Sequence, residues 1–407
     1  MNIAVGQSGG PTVAINASLM GVFRGAAKYD GEIEKIYGSL NGIEGIINDN
    51  LVDLRDIIRE DGDIELICQT PSTVLGSCRY KLPDPDKDEA VFETITATFM
   101  KHNIGAFFYI GGNDSMDTVM KLHKYFTAKN IDIKVVGIPK TIDNDLTLTD
   151  HTPGFGSAAK YVATTMQEIT RDSSVYDLRS VTIVEIMGRD TGWLTASSAL
   201  IRANGEVAPH LIYLPESKFS VKQFISDVRR VQEKYPTVIV AVSEGVEPDM
   251  EEIGGEFQSG AVDTFGHKYL SGIATALSKI VKKEIGCKVR AIELNVMQRC
   301  SSHVSSKRDI TEAEQIGCAG VDAAIEGKSG IAMIFERVSN RPYNVKISCA
   351  DVSLIANKVK YFPSEWITED GHDVTAEAIE YGLPLIQGEP DIHMRNGLPA
   401  QFILKRS

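Results

Sequence analysis

Short apolar runs rich in β-branched residues recur along the chain, and between them apolar positions step three and four residues apart. The first run, Ile3-Ala4-Val5, precedes a segment in which Ile15, Leu19, Val22, Phe23 and Ala26 share one helical face. Further runs at Ile104 to Ile110, Ile133 to Ile138, Val181 to Met187, Leu211 to Leu214, Val238 to Val242 and Val289 to Leu294 predict strands. Strands that alternate with helical patterns predict an α/β fold with largely parallel sheets. The charged stretches Asp84 to Glu89 and Glu247 to Glu252 read as solvated loops, the second as a boundary between lobes. Beyond about Cys349 the pattern weakens, and Trp366, His372 and Pro384 sit in segments without a chemical reading.

Composition narrows the class. The 407 residues are 43% apolar, enough for a large core in about two to four domains. A formal charge of -13 disfavours nucleic acid or an anionic membrane as a partner. No apolar run is long enough to cross a bilayer, and Met1 to Gly6 lacks the pattern of a secretory leader. The six cysteines form no CxxC pair, so neither a zinc site nor a disulfide framework is indicated, and reduced thiols fit a cytoplasmic protein.

Chemistry collects where the strands end. Pro139-Lys140-Thr141-Ile142-Asp143-Asn144-Asp145 places a lysine and two aspartates in a turn directly behind Val135-Val136-Gly137-Ile138. In open α/β sheets ligands bind at such strand ends, and charges there need a ligand, a metal or each other to offset desolvation. A solvated turn capped by Asn and Asp is the plainer alternative. Gly6 to Thr12 carries Gly9-Gly10, whose backbone amides could approach an anion, although such turns are common. Gly111-Gly112-Asn113-Asp114-Ser115 precedes a helix with Met116, Val119, Met120 and His123 on one side, and could equally be an ordinary N-cap. Met187-Gly188-Arg189 follows another strand and suits a guanidinium clamp on phosphate or sugar. Glu244, Arg290 and Arg299 are similarly placed, though each alone is more often structural.

Familiar signatures fail on context. Gly327-Lys328-Ser329 resembles the end of a P-loop, but Asp322 stands where the first glycine is required. Gly154-Phe155-Gly156-Ser157 follows a polar loop rather than the strand a dinucleotide fingerprint needs. The eight histidines show no HExxH spacing.

Taken in order, Gly9-Gly10-Pro11, Gly111 to Ser115, Pro139 to Asp145, Met187-Gly188-Arg189, Ser243-Glu244-Gly245 and Gln298-Arg299 resemble the 6-phosphofructokinases, over roughly residues 2 to 309. The resemblance implies two Rossmann-like α/β sandwich lobes: residues 1-154 with about 299-350 for the phosphoryl donor, and 155-298 with 351-407 for the sugar phosphate. Asp114 and Lys140 stand where ATP-dependent members carry glycine, and they match the pyrophosphate-dependent branch. Glycine leaves room for the α-phosphate of ATP. A carboxylate about 4 Å from that phosphate would repel it by about 4 kcal/mol at an effective dielectric of 20.

The same resemblance implies transfer from pyrophosphate to the C1 hydroxyl of fructose 6-phosphate, giving fructose 1,6-bisphosphate and orthophosphate. Asp143 would be the general base, Asp145 its support electrostatically or through metal-bound water, and Lys140 the cation for the transferring phosphoryl group. Thr141, Ile142, Met187, Gly188, Arg189 and Glu244 would contact the sugar phosphate, with Arg290 and Arg299 on its 6-phosphate. Gly9, Gly10 and Arg79 map to the pyrophosphate side, and Asn113 stands where many members have an aspartate that binds Mg²⁺. Val296 replaces a substrate-contacting histidine of the bacterial ATP-dependent enzymes. A homodimer or homotetramer is expected. The alternatives are an ATP-dependent 6-phosphofructokinase, a NAD or lipid kinase, and a non-catalytic sugar-phosphate sensor. The Thr141 to Asp145 turn with Met187-Gly188-Arg189 argues against the NAD or lipid kinase, and the presence of Asp143 argues against the sensor.

Overall fold

The computed structural model describes residues 1–247 and 272–404, so of the expected loop Glu247 to Glu252 only Glu247 lies among the described residues. In chain order the principal elements are β1 (Asn2–Gln7), α1 (Ile15–Ala27), β2 (Ile36–Ser39), β3 (Leu51–Asp53), β4 (Ile104–Gly111), α2 (Asn113–Ala128) and β5 (Lys134–Pro139). They continue with α3 (Phe155–Ser173), β6 (Ser180–Ile186), β7 (Leu211–Tyr213), β8 (Thr237–Ser243), α4 (Ile273–Glu284), β9 (Lys288–Glu293), α5 (Lys307–Ile325), β10 (Ile331–Asn340) and β11 (Tyr343–Asp351). The chain divides into two compact units: Met1–Ser157 with Arg299–Val359 and Gln387–Ser407, and Ala158–Gln298 with Lys360–Ile386.

The first unit is built on a seven-stranded sheet in the order β11-β10-β5-β4-β1-β2-β3. β2, β1, β4, β5 and β10 run parallel, and the two outermost strands, β3 and β11, pair antiparallel. Alternation along each strand sorts the core onto both faces. Ile3, Val5, Phe108, Ile110, Val136 and Ile138 enter one cluster, while Ala4, Phe107, Tyr109 and Val135 enter the other. Burial on both faces explains the near-continuous apolar runs. The strand order reverses between β1 and β4, the position where open α/β sheets form a ligand crevice at their carboxyl ends.

Helices α1 and α5 cover one face in unusually close contact. A Cβ on Gly21 would collide with the Glu314 carbonyl, and one on Gly317 with the Ser18 carbonyl. This contact fixes α5, which carries residues that brace the site.

The second unit has a four-stranded parallel sheet, β7-β8-β6-β9, with Val181, Ile183, Val238, Val240 and Val242 in its core. Trp366, which had no reading from sequence, joins Trp193, Phe362 and Tyr381 in an aromatic cluster with ring centroids 5.1 to 6.0 Å apart. Of the stretch 351-407 expected in the second lobe, only Lys360–Ile386 groups there, while 351–359 and the tail group with the first unit. Phe402 N–H donates to Thr70 Oγ1 (2.8 Å), and the Gln69 side chain is bonded to the backbone of His393, so the tail belongs to the first unit.

Candidate active site

Three loops meet at the carboxyl ends of adjacent strands in the first unit. The loop after β1 is tied to β4 by Ser8 N–H donating to the Ile110 carbonyl (2.9 Å), and the loop after β5 is tied to it by Lys140 N–H donating to the Gly111 carbonyl (2.9 Å). Gly9 has φ +76°, a left-handed conformation, and a Cβ there would lie 3.5 Å from Lys140 Nζ. A Cβ on Gly10 would lie 3.4 Å from an Arg299 guanidinium nitrogen. A two-glycine turn thus faces two cations, as an anion cradle requires.

Lys140 is only 2% exposed, and its Nζ donates to the Gly10 carbonyl at 2.5 Å. Burial lowers its pKa from 10.5 to about 8; Asp143 and Asp145 pull it back up, while Arg299 pushes it further down. The lysine is held buried with its ammonium on the Gly9-Gly10 turn. Arg79 follows directly on residues bonded to that turn: Ser77 Oγ donates to the Gly9 carbonyl (2.7 Å) and Gly9 N–H to the Cys78 carbonyl (3.4 Å).

The Thr141 to Asp145 turn is shaped by its own side chains. Asp143 N–H donates to Thr141 Oγ1 (3.1 Å), Asn144 takes φ +54°, and Ile142 is buried beneath. The far end of the loop returns to the same point. Thr141 N–H donates to the Pro153 carbonyl (3.2 Å) and Thr152 Oγ1 donates to the Thr141 carbonyl (2.8 Å). Asp309 on α5 then accepts from Gly154 N–H (2.9 Å) and Ser157 N–H (3.0 Å). The helix start at Gly154 to Ser157, rejected above as a dinucleotide fingerprint, is therefore occupied by an internal carboxylate. Thr152 and Asp309 escaped the sequence reading, and the only signal for Asp309 was its place after Ser306, which caps α5.

Asp114 stands in the first turn of α2 beside Gly112. Asn113 is differently employed: its Oδ1 accepts from Asn357 N–H (2.6 Å) and its Nδ2 donates to the Lys358 carbonyl (2.5 Å). Both ends of the amide serve this clamp, so a metal at Oδ1 would compete with a backbone hydrogen bond. Among the described residues no group of three or more His, Cys, Asp or Glu side chains is arranged to hold a metal. The anionic oxygen donors in these loops are Asp114, Asp143 and Asp145.

In the second unit, Gly188 (φ +139°) follows β6; its N–H donates to Glu244 Oε1 (3.3 Å) and its carbonyl accepts from Ser243 Oγ (2.5 Å). Met187 N–H donates to the buried Gln298 side chain (3.3 Å). A Cβ on Gly245 would collide with the Arg189 carbonyl, so the two strand-end loops are in backbone contact. Arg189 extends to Asp190 at 3.2 Å and is about one-third exposed. Met187, Gly188, Arg189 and Glu244 are thereby brought together. Arg290 lies on β9, where it is half-exposed and pairs with Asp172 at 2.7 Å. Arg299, expected beside Arg290 on a 6-phosphate, stands in the first unit with Gly10 and Lys140.

A family model described as phosphofructokinase matches residues 2–324. The chain belongs to the phosphofructokinase family. Among its relatives, the pyrophosphate--fructose 6-phosphate 1-phosphotransferase of Xanthomonas campestris pv. campestris is 38% identical, covering 99% of this chain and 96% of that protein. The protein of the same name from Halomonas elongata is 36% identical over 98% of this chain and 94% of its own length. The crystal structure of a pyrophosphate-dependent phosphofructokinase from Nitrosospira multiformis superposes with a TM-score of 0.88 at 35% identity, covering 99% of this chain and 96% of that one. As a phosphofructokinase, the chain joins the mixed α/β, largely parallel architecture of that family.

Proposed function

We propose that this phosphofructokinase transfers a phosphoryl group reversibly from pyrophosphate to the C1 hydroxyl of fructose 6-phosphate, releasing orthophosphate and fructose 1,6-bisphosphate. The observation that carries the donor assignment is Lys140, buried with its ammonium on the Gly9-Gly10 turn. An ATP site needs open space there, and a pyrophosphate site needs a fixed positive charge. Asp114 at the start of α2 adds a carboxylate that penalises a third phosphate. Relatives matched over nearly their whole length carry pyrophosphate in their names, which supports the same choice.

In the mechanism that fits these residues, Gly9, Gly10 and Arg79 bind pyrophosphate, and Lys140 and Arg299 balance charge on the transferring and departing phosphates. Asp143 accepts the C1 hydroxyl proton, a role worth about 10²–10⁴ in rate. Asp145 supports that carboxylate, and Thr141 orients it through the bond from Asp143 N–H to Thr141 Oγ1. Met187, Gly188, Arg189 and Glu244 hold the sugar phosphate, with Ile142 and Arg290 as further contacts. Phosphoryl transfer in this family generally requires a divalent metal, and the donor set here suits Mg²⁺ held mainly by pyrophosphate and water with one or two carboxylates. The ion would supply neutralisation of charge on the phosphate oxygens, and Asp114 and Asp145 would be its candidate ligands. A homodimer or homotetramer in the cytoplasm completes the reading. No helix among the described residues is long and apolar enough to cross a membrane.

The test is formation of fructose 1,6-bisphosphate by the purified protein with Mg²⁺, comparing pyrophosphate with ATP, and the reverse reaction from bisphosphate and orthophosphate. Turnover with pyrophosphate alone, lost in Asp143→Ala, is expected. Equal use of ATP by the unmodified protein would refute the donor assignment, and silence with both donors would favour a sugar-phosphate sensor.

A further inference from the structure

Behind the Thr141 to Asp145 turn lies a buried chain of charges that the mechanism above does not use. We infer that His151, as an imidazolium clamped between Asp150 and Glu312, is a positioning residue that locks the loop from Thr141 to Gly154 onto α5 and β10 and so holds Asp143 and Asp145 in place. The inference rests on the reading of Asp143 as the base.

Geometry sets the protonation state. His151 Nδ1 lies 2.8 Å from Asp150 Oδ2, and Nε2 lies 2.8 Å from Glu312 Oε2. A neutral imidazole has one N–H and would point a lone pair at one of the two carboxylates, so only the doubly protonated ring satisfies both. The ring is 2% exposed and stacks on Phe335 of β10 at 4.5 Å and 3°. Burial opposes the charge, but the hydrogen bonds to Asp150 and Glu312 outweigh it and hold the pKa above the ordinary histidine value.

The groups around the ring alternate in sign. On the histidine's own loop is Asp150, which accepts from Arg337 Nε (3.0 Å) and Nη2 (2.9 Å) of β10. From α5 come Glu312, buried, and Asp309, whose pKa burial raises against the opposing pull of its bonds from Ser157 and Gly154 and of the His151 charge. From β11 comes Tyr343, whose ring lies under Arg337 at 5.2 Å and under Arg308 of α5 at 5.0 Å. Glu312, His151, Asp150 and Arg337 together are neutral only while the imidazole is charged. Loss of that proton leaves a buried negative charge, which interiors tolerate poorly.

The same residues hold the catalytic loop. Asp150 N–H donates to the Phe335 carbonyl (2.8 Å), and Phe335 N–H donates to Thr149 Oγ1 (3.0 Å). Thr149 Oγ1 in turn donates to the His151 carbonyl (2.8 Å). One residue on, Thr152 bonds the carbonyl of Thr141, the first residue of the catalytic turn. A loosened His151 therefore reaches the base through Thr152, its bond to the Thr141 carbonyl, and the backbone from Thr141 to Asp143.

The experiment pairs nitrogen NMR of the histidine rings with kinetics on the full-length protein. Signals of His151 are assigned by difference with His151→Gln or Glu312→Gln. In the native protein both ring nitrogens should carry protons at pH 8. At saturating pyrophosphate, Glu312→Gln should move the alkaline limb of kcat about one pH unit lower, and His151→Gln should lower kcat by roughly 10–100-fold with little change in the KM for pyrophosphate. Asp143→Asn serves as the separate check on the base: it should abolish turnover while leaving the His151 signals unmoved, and full activity there would sink the base assignment without touching the protonation result. A neutral His151 ring at pH 8 in the native protein overturns the inference, as do variants that lose thermal stability with an unmoved pH limb. If neither variant folds, the His151 signals are assigned by elimination, replacing the other seven histidines in turn, and the native ring then decides through its protonated fraction.

Discussion

Replacing Lys140 with methionine should make the ligand-free protein more stable while removing its use of pyrophosphate. In the folded chain the Lys140 pKa falls from 10.5 to about 8. Each tenfold change in a protonation equilibrium corresponds to about 1.4 kcal/mol, so holding the ammonium buried at pH 7 costs about 3 kcal/mol. The sign follows from the folded state binding the proton more weakly. Between pH 8 and 10.5 the unfolded chain carries more proton, stability rises with pH across that window, and below it the full cost applies. Methionine keeps the stem volume without the charge. It forfeits the bond to the Gly10 carbonyl, about 1 kcal/mol, and leaves Asp143 and Asp145 without one counter-charge. A net gain of about 1–2 kcal/mol at pH 7 remains. Urea denaturation of both proteins at pH 7 and pH 10.5 should show a gain that vanishes at the higher pH, together with loss of stabilisation by pyrophosphate in the variant. A methionine variant less stable than the parent by the same amount at both values would refute the claim that this lysine is held charged against its burial.

The kcat/KM for pyrophosphate should decline above about pH 8 as Lys140 in the free enzyme loses its proton, and a decline absent up to pH 9.5 would contradict its burial. Asn113→Ala should cost about 1–3 kcal/mol of stability by releasing residues 357 and 358, with an unchanged Mg²⁺ requirement; a large rise in the Mg²⁺ needed would restore Asn113 as a ligand. Gly245→Ala should force the Arg189 carbonyl away, raising the KM for fructose 6-phosphate roughly tenfold or more while leaving pyrophosphate binding intact, as measured by initial rates.

The legible parts of the chain were those with dense local pattern. β1, β4, β5, β6 and β8 are buried on both faces, and their apolar runs announce them. β10 and β11 were not found. β10 is apolar only through Phe335 before running on into Glu336-Arg337-Val338-Ser339-Asn340, and β11 alternates half-buried and exposed positions at the sheet edge. β2 and β3 are short, at four and three residues, and β2 is interrupted by Gly38. Each strand-end loop alone also fits an ordinary turn or cap, and the loops could be read because their motifs follow one another in a single order over residues 2 to 309. The His151 cluster could not. Its members lie at positions 150, 151, 312 and 337, and nothing local marks them as partners.

The strand order has a consequence for how this protein is made. The edge of β5 away from β4 is covered by β10, which begins at Ile331, roughly 190 residues after β5 ends. At about 5–20 residues per second, a ribosome leaves that apolar edge unpaired for about 10–40 seconds. Val135 and Val136, fully buried in the finished sheet, are adhesive in that interval. Shielding of the nascent strand during translation should therefore raise the yield of active protein, and co-expressed chaperones are the means to supply it without altering the folded state.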